Sequence, residues 1–327
     1  MDDSLHQRAN FPPNLAIACA HQTRFGDDLA AFGIAAKTWD ASFALLDYLL
    51  PPAQASPRKR GPAAETDPPS PLLSSAGSLH IIDLGSGTCY LPIGLARRVE
   101  PTARQSIKIT ATDLPAVLPL LERNIAQERT RGNPAISARA LAWGDTQQTI
   151  DLLKTLELAH QPATELLVTC SDLVFFPFLF APLLRTLLIL TSPQYLPSTI
   201  TSTPVVLFGY KERSAVKEFP FFSLLGRYFK LEPILSRSDP AGPWELFRRQ
   251  HQSSDGRDGD DRSKIYLLRA TRHPSTIHLD LQSTILKNHT DNADPDRQDP
   301  LLTHGDGSAS DQWEWILLSN LSDHSIF

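Results

Sequence analysis

The chain has 327 residues, 41% of them hydrophobic, and its 31 Lys and Arg against 36 Asp and Glu leave a net charge of −5. That length suffices for one α/β domain of about 200 to 250 residues with additional segments, and the acidic balance argues against nucleic acid or an anionic membrane as partner. Cys19, Cys89 and Cys170 are widely spaced with no CxxC, so they make neither a disulfide framework nor a zinc site, and a reducing, cytoplasmic compartment follows.

The N-terminus, Met1-Asp2-Asp3-Ser4, lacks the apolar core of a signal peptide. Residues 1–13 read as a disordered polar tail, and the folded domain is expected over 14–272. Leu15 to Ile34 mixes β-prone and small residues and is expected to pair at the domain's edge. Lys37 to Leu50 is a helix with Phe43, Leu46 and Leu50 on one face and Thr38 as its cap, stopped by Pro51 and Pro52. Residues 51–78 are rich in Pro, Ala and Ser and read as a disordered insert. The triplet Arg58-Lys59-Arg60 within it is a solvated charge run rather than a nuclear signal.

The stretch that organises the rest is Leu79 to Ile93: a β-rich run ending at Asp83, the turn Gly85-Ser86-Gly87, and a helix from Leu91 to Val99. Strand, tight loop and helix in that order form the entry to a nucleotide-type site. Glycine leaves the backbone open to a ligand and adopts positive φ at no cost, and the helix start offers unpaired N–H groups. A dinucleotide fingerprint asks for a third glycine where Tyr90 stands and for an acid about 20 residues on. Here the next strand, Ile107 to Thr112, ends at Asp113, 28 residues beyond Gly85. Both features argue against NAD and suit S-adenosylmethionine (SAM), whose ribose an acid at the end of strand two commonly holds.

A helix is expected over Leu114 to Gln127, and a third strand with its turn over Arg139 to Asp145. The fourth strand is Leu166 to Asp172, followed by a helix from Pro182 to Leu190. Although 166–190 is largely apolar, Asp172, Pro177, Pro182 and Arg185 suit a strand, loop and core helix better than a membrane span. Pro204 to Tyr210 is the fifth strand, a helix runs through Phe222, Leu225 and Tyr228, and Lys230 to Leu235 is the sixth strand. This alternation gives a parallel, three-layer α/β sheet. Ile265 to Arg269 and Trp315 to Leu318, in the segment 312–327, compete for the last strand; 273–311 between them is polar and reads as a disordered insertion or tail. Its histidines have no ligand spacing, and no metal is expected.

Five motifs occur in one order: Lys37-Thr38-Trp39-Asp40-Ala41-Ser42, Asp83-Leu84-Gly85-Ser86-Gly87-Thr88, Thr112-Asp113-Leu114, Leu141-Ala142-Trp143-Gly144 and Ser171-Asp172-Leu173-Val174-Phe175. In these the chain resembles the seven-β-strand protein-lysine N-methyltransferases, methyltransferase family 16, and within them the fungal branch acting on elongation factor 1-alpha. The resemblance covers about Phe32 to Leu235 and one final strand. It implies a Rossmann-like, class I SAM-dependent methyltransferase sheet of seven strands, with an antiparallel seventh strand inserted between strands five and six. It also implies SAM as cofactor, a protein substrate, no metal, no direct nucleic acid, no membrane, and a monomer.

By the same resemblance Trp39, Gly85, Ser86, Gly87, Asp113, Trp143 and Ser171 line the SAM site. Asp83 has two readings there, a turn toward the methionine amino group or a cap on the glycine loop. Trp39 and Trp143 suit core packing, but motif order favours stacking on adenine or sulfonium for both. Catalysis is assigned to Asp172, orienting the target amine or passing its proton to water, and to Phe175 as channel wall. The clusters Phe175, Phe176, Phe178, Phe180 and Phe219, Phe221, Phe222 otherwise suit core packing. Three departures stand out: Cys89 at the family's third glycine, Pro92 one turn into the following helix, and Phe175 where the family's Asp-x-x-Tyr motif ends in tyrosine. A small-molecule N-methyltransferase on the same fold and a non-catalytic binding protein are the alternative functions.

Overall fold

The computed structural model describes residues 25–51, 65–74, 77–99, 106–128, 136–157, 164–200, 202–247, 265–279 and 281. In chain order its main elements are α1 (Phe25–Phe32), α2 (Asp40–Leu49), β1 (Glu65–Asp67), α3 (Pro71–Ser74), β2 (Ser78–Leu84) and α4 (Tyr90–Arg98). They continue with β3 (Ile107–Asp113), α5 (Leu118–Glu128), β4 (Ile136–Ala140), α6 (Thr146–Glu157), β5 (Thr164–Ser171) and α7 (Phe180–Leu190). The last are β6 (Val205–Lys211), α8 (Ala215–Gly226), β7 (Phe229–Pro233), β8 (Leu235–Arg237), β9 (Glu245–Leu246) and β10 (Ile265–Arg272).

Seven strands form one sheet in the order β4-β3-β2-β5-β6-β10-β7. β2 to β6 pair in parallel, and β10 runs antiparallel between β6 and β7. This is the expected class I arrangement, and Ile265–Arg272 is the strand that supplies its antiparallel member. Trp315 to Leu318, the competing candidate, lies outside the described residues.

The central strands are buried on both faces, so β2 and β5 carry apolar residues on either side, with His80, Asp83 and Thr169 buried among them. Period-2 alternation splits β2 between two cores. Ile81 joins Leu45, Leu46, Leu91 and Leu267 on one face. Ile82 and Leu84 join Val168, Leu184, Leu188 and Phe222 on the other. The helix α2 lies tight on β6, where a Cβ at Gly209 would come within 2.9 Å of Leu45 and 3.0 Å of the Ala41 carbonyl oxygen.

Several expectations need correction. Leu15 to Ile34 supplies no edge strand among its described residues: Phe25, Leu29 and Phe32 recur at helical spacing, 25–32 forms α1, and Arg123 of α5 holds Asp28 at 2.6 Å. Residues 15–24 lie outside the described residues. Thr38 does not cap the following helix. That helix begins at Asp40 with Trp39, which has no side-chain acceptor, at its N-cap; Thr38 lies one residue outside and its hydroxyl shares a 2.9 Å hydrogen bond with Thr88.

The segment 51–78 is not wholly an insert. β1 pairs with β8, and β8 with β9, in a second, three-stranded sheet, and Ser78 already belongs to β2. Leu72 is buried beside Leu49. The Tyr48 hydroxyl reaches the Pro68 and Pro69 carbonyls at 3.2 Å, and Ser70 donates to the Leu49 carbonyl at 2.7 Å.

Order also continues past 272, where a turn at Pro274–Thr276 is fixed by the Thr276 hydroxyl on the Tyr228 carbonyl (2.9 Å) and Leu281 enters the core. β4 begins at Ile136, not Arg139, and Leu141 to Asp145 is the loop after it. Residues 166–190 resolve into β5, a short turn and α7, and among the described residues no single helix is long and apolar enough to cross a membrane.

Candidate active site

β2 turns left-handed at Gly85 (φ +58°) and Gly87 (φ +51°). The Ser86 N–H donates to the Thr112 carbonyl at 2.9 Å, and the Thr112 N–H returns a bond to the Ser86 hydroxyl at 3.2 Å, so the loop is stitched to β3. Asp113 completes the stitch: its two carboxylate oxygens accept the Gly87 and Leu114 N–H groups, each at 2.8 Å. Burial raises its pKa and those two N–H groups oppose the rise. Each oxygen keeps a lone pair for another donor.

Cys89 takes the backbone shape of the glycine it replaces, with φ +62° at the N-cap of α4. For a side-chain-bearing residue that costs roughly 1–2 kcal/mol. The thiol is buried, and burial pushes its pKa well above the usual range. Pro92 falls in the first turn of α4, where its missing N–H has no helical partner to lose.

Asp83 sits behind the loop. Its carboxylate accepts the Thr169 hydroxyl at 2.6 Å, and its backbone carbonyl accepts the Ser86 and Thr112 hydroxyls at 3.0 and 2.9 Å. Burial pushes its pKa up to about 6, against the Thr169 bond. Of the two roles open to Asp83, the main chain performs the bracing of the loop, while the carboxylate points into the sheet toward β5.

Two segments close over the glycines. A Cβ at Gly85 would come within 2.9 Å of Leu173 and 3.0 Å of the Trp143 ring, so Trp143 packs beside the loop as its motif suggests. Gly144 (φ +85°) turns the chain there and donates to the Thr186 hydroxyl of α7 at 2.8 Å. A Cβ at Gly87 would meet the Ala35 carbonyl oxygen at 2.8 Å, which puts the turn Gly33–Ala36 directly against the loop. Trp39 follows that turn, its indole N–H donating to the Ile34 carbonyl at 3.3 Å. Its ring faces cations of the chain itself: Lys37 Nζ lies 4.5 Å and the Arg213 guanidinium 5.1 Å from the ring centroid.

At the end of β5 the Ser171 hydroxyl is buried and makes no hydrogen bond among the described residues. Asp172 then adopts φ +62° and donates its N–H to the Gly209 carbonyl of β6 at 2.7 Å. Its side chain has 0% exposure, and Arg213 grips both carboxylate oxygens, Nη1 to Oδ1 at 2.8 Å and Nη2 to Oδ2. An open carboxylate passing protons to water is therefore not what stands here; it is sealed under a guanidinium. Phe175 is half-buried and meets Phe176 edge-on at 4.8 Å, and Phe176 stacks on the exposed Phe178 at 5.4 Å. Phe180, Phe221 and Phe222 are core.

Sequence reasoning missed Arg213. No motif announces it, since its partner lies 41 residues earlier and the two meet only because β5 and β6 are neighbours. Among the described residues no group of His, Cys, Asp and Glu is placed to hold a metal ion.

The glycine loop, Asp113, Trp143 and Ser171 thus gather at the carboxyl ends of β2, β3 and β5. A model of a lysine methyltransferase family matches residues 20–228. The chain belongs to that lysine methyltransferase family. Protein-lysine N-methyltransferase EFM6 of Saccharomyces cerevisiae is 30% identical over 154 residues, covering 47% of this chain and 58% of the yeast protein. The match thus spans well under two thirds of that relative's length. Among solved structures, an O-methyltransferase family protein from Burkholderia thailandensis aligns at 12% identity and a TM-score of 0.38, over 77% of this chain and 61% of its own. The magnesium protoporphyrin IX methyltransferase of Synechocystis PCC 6803 aligns at 11% identity and 0.34, over 61% and 76%. The fold of this lysine methyltransferase family member is carried by its own strand order rather than by those alignments.

Proposed function

We propose that this member of the lysine methyltransferase family is a SAM-dependent protein-lysine N-methyltransferase acting on elongation factor 1-alpha, as a cytoplasmic monomer. The observation that carries the reading is the loop at the switch point of the sheet. From β2 the chain steps outward to β3 and β4, then restarts at β5 on the other side, and ligands of open α/β sheets bind in that crevice.

The residues there fit SAM. Gly85 and Gly87 expose backbone, the lone pairs left on Asp113 suit the ribose hydroxyls, and the buried unpaired hydroxyl of Ser171 suits a polar ligand group. Ser86 and the Asp83 carbonyl brace the loop, and Trp143 offers a ring beside Gly85. Trp39, held by Ile34 and faced by two cations, is assigned to the wall of the site rather than to a bare stacking platform. SAM held by these residues would supply an electrophilic methyl group on a sulfonium for the lone pair of the target amine. What remains for the chain is to orient the lysine and to favour its neutral form, the proton being left to solvent. A lysine near pKa 10.4 is an ammonium in water and loses its proton more readily where it is desolvated. Phe175 and Phe176, beside Asp172, supply an apolar wall for its stem.

Incubation of the purified chain with SAM and purified elongation factor 1-alpha, read by peptide mass spectrometry, tests the substrate. Methylation of one lysine is expected. An elongation factor left unmodified, where the same chain and SAM methylate lysine on another protein in a cell lysate, would overturn the substrate and keep the reaction.

A further inference from the structure

We infer that Arg213 is a positioning residue for the methyl transfer: its ion pair with Asp172 balances charge at the end of β5 so that the target lysine is accepted as a neutral amine. The inference rests on the function proposed above.

Arg213 is placed rather than free to roam. Its own N–H and that of Ser214 donate to the buried Glu218 carboxylate, both at 3.1 Å, and Tyr210 adds its hydroxyl to the same oxygen. The guanidinium forks onto Asp172, the two-bond geometry that Lys cannot reproduce. Burial works against its charge, and the Asp172 carboxylate more than restores it. The other charged groups around the pair are engaged. Lys211 holds Asp40 at 2.6 Å, Glu212 accepts the Tyr266 hydroxyl at 3.2 Å, and Lys37 lies over Trp39.

A bare carboxylate at this strand end would hold an incoming lysine as its ammonium, which has no lone pair with which to attack. Arg213 removes that bare charge, and Asp172 in turn balances a guanidinium that would repel the substrate. The two residues therefore tune one property from opposite sides.

The pH profile of kcat for lysine methylation, at saturating SAM and saturating protein substrate, titrates the bound complex and tests this in the wild type, Arg213→Gln, Arg213→Lys, Asp172→Asn and the Asp172→Asn/Arg213→Gln double variant. Arg213→Gln is expected to move the acid limb up by about 1 pH unit or more, the usual effect of an opposite charge nearby. Asp172→Asn should move it down, and the double variant should return it toward the wild-type position. Arg213→Lys, which keeps the charge and loses the fork, should lower kcat with the limb in place. If Arg213→Gln fails to fold, Asp172→Asn against the double variant carries the test. A pair that merely holds a loop would lower melting temperature and kcat with every limb coincident, and that result overturns the inference alone. A wild type that methylates no lysine overturns the function and the inference together.

Discussion

Two buried groups on β2, His80 and Asp83, pull stability in opposite directions as pH changes. Burial, with Lys108 second, holds the His80 pKa down at about 4 against an ordinary 6.5. A depressed histidine contributes fully above 6.5 and loses its contribution as pH falls through about 4. Asp83 is raised from 3.8 to about 6, so its contribution is full below 3.8 and is lost as pH rises through about 6. At 1.36 kcal/mol per unit each shift is worth about 3 kcal/mol, and over pH 4 to 6 the two nearly cancel. Asp83→Asn is expected to gain stability above pH 6 and to fall away steeply on acidification, with His80 uncompensated. Urea unfolding at pH 4, 5, 6 and 7 measures this, and parallel profiles for wild type and variant would contradict it. Cys89 shows that a residue's identity and its backbone conformation can part company, since the chain there keeps the shape that a glycine would adopt more cheaply. A substitution that looks damaging on paper thus leaves the loop intact.

The helix α3 and strand β1 show how composition misleads. A Pro-, Ala- and Ser-rich stretch looks unable to build structure, yet Leu72 is 6% exposed and Ser70 1%: Leu72 joins the apolar cluster of α2, Ser70 bonds the Leu49 carbonyl, and Tyr48 bonds the Pro68 and Pro69 carbonyls. Leu72→Ala should therefore destabilise the domain by about 2–5 kcal/mol, the usual cost of a truncated core leucine. A melting temperature equal to wild type would show that this segment does not pack. The helix α6 escapes the sequence reading for a different reason. Asp145 reads as a turn residue, but it accepts the Gln148 N–H at 2.9 Å while Gln148 reaches back to the Ala142 N–H at 2.9 Å. An acid followed three residues later by glutamine, just ahead of the apolar Ile150, Leu152 and Leu153, is a helix-start signature that the sequence does carry. β2, β3, β5 and β6, by contrast, are plain in the sequence, because each is a short run rich in β-branched and apolar residues.

For the molecule as a whole, the cofactor side of the site is readable because its parts are local: a strand, a glycine turn and an acid at the next strand's end. The substrate side is not. Asp172 can be placed from its motif, but its hydrogen-bond partners depend on Arg213, on the Glu218 anchor and on the neighbouring of β5 and β6. The turn at Gly33–Ala36, which leans on Gly87, likewise depends on tertiary packing that no local pattern carries. These parts meet at one crevice, and one measurement addresses their joint purpose. SAM labelled in its methyl group is incubated with cell lysate and either the wild-type chain or Gly85→Arg, whose side chain would be forced into Trp143 and Leu173. The account predicts label on lysine in the protein fraction with the wild type, and none with a folded Gly85→Arg chain. Label confined to small molecules, or equal protein labelling by the variant, would contradict it.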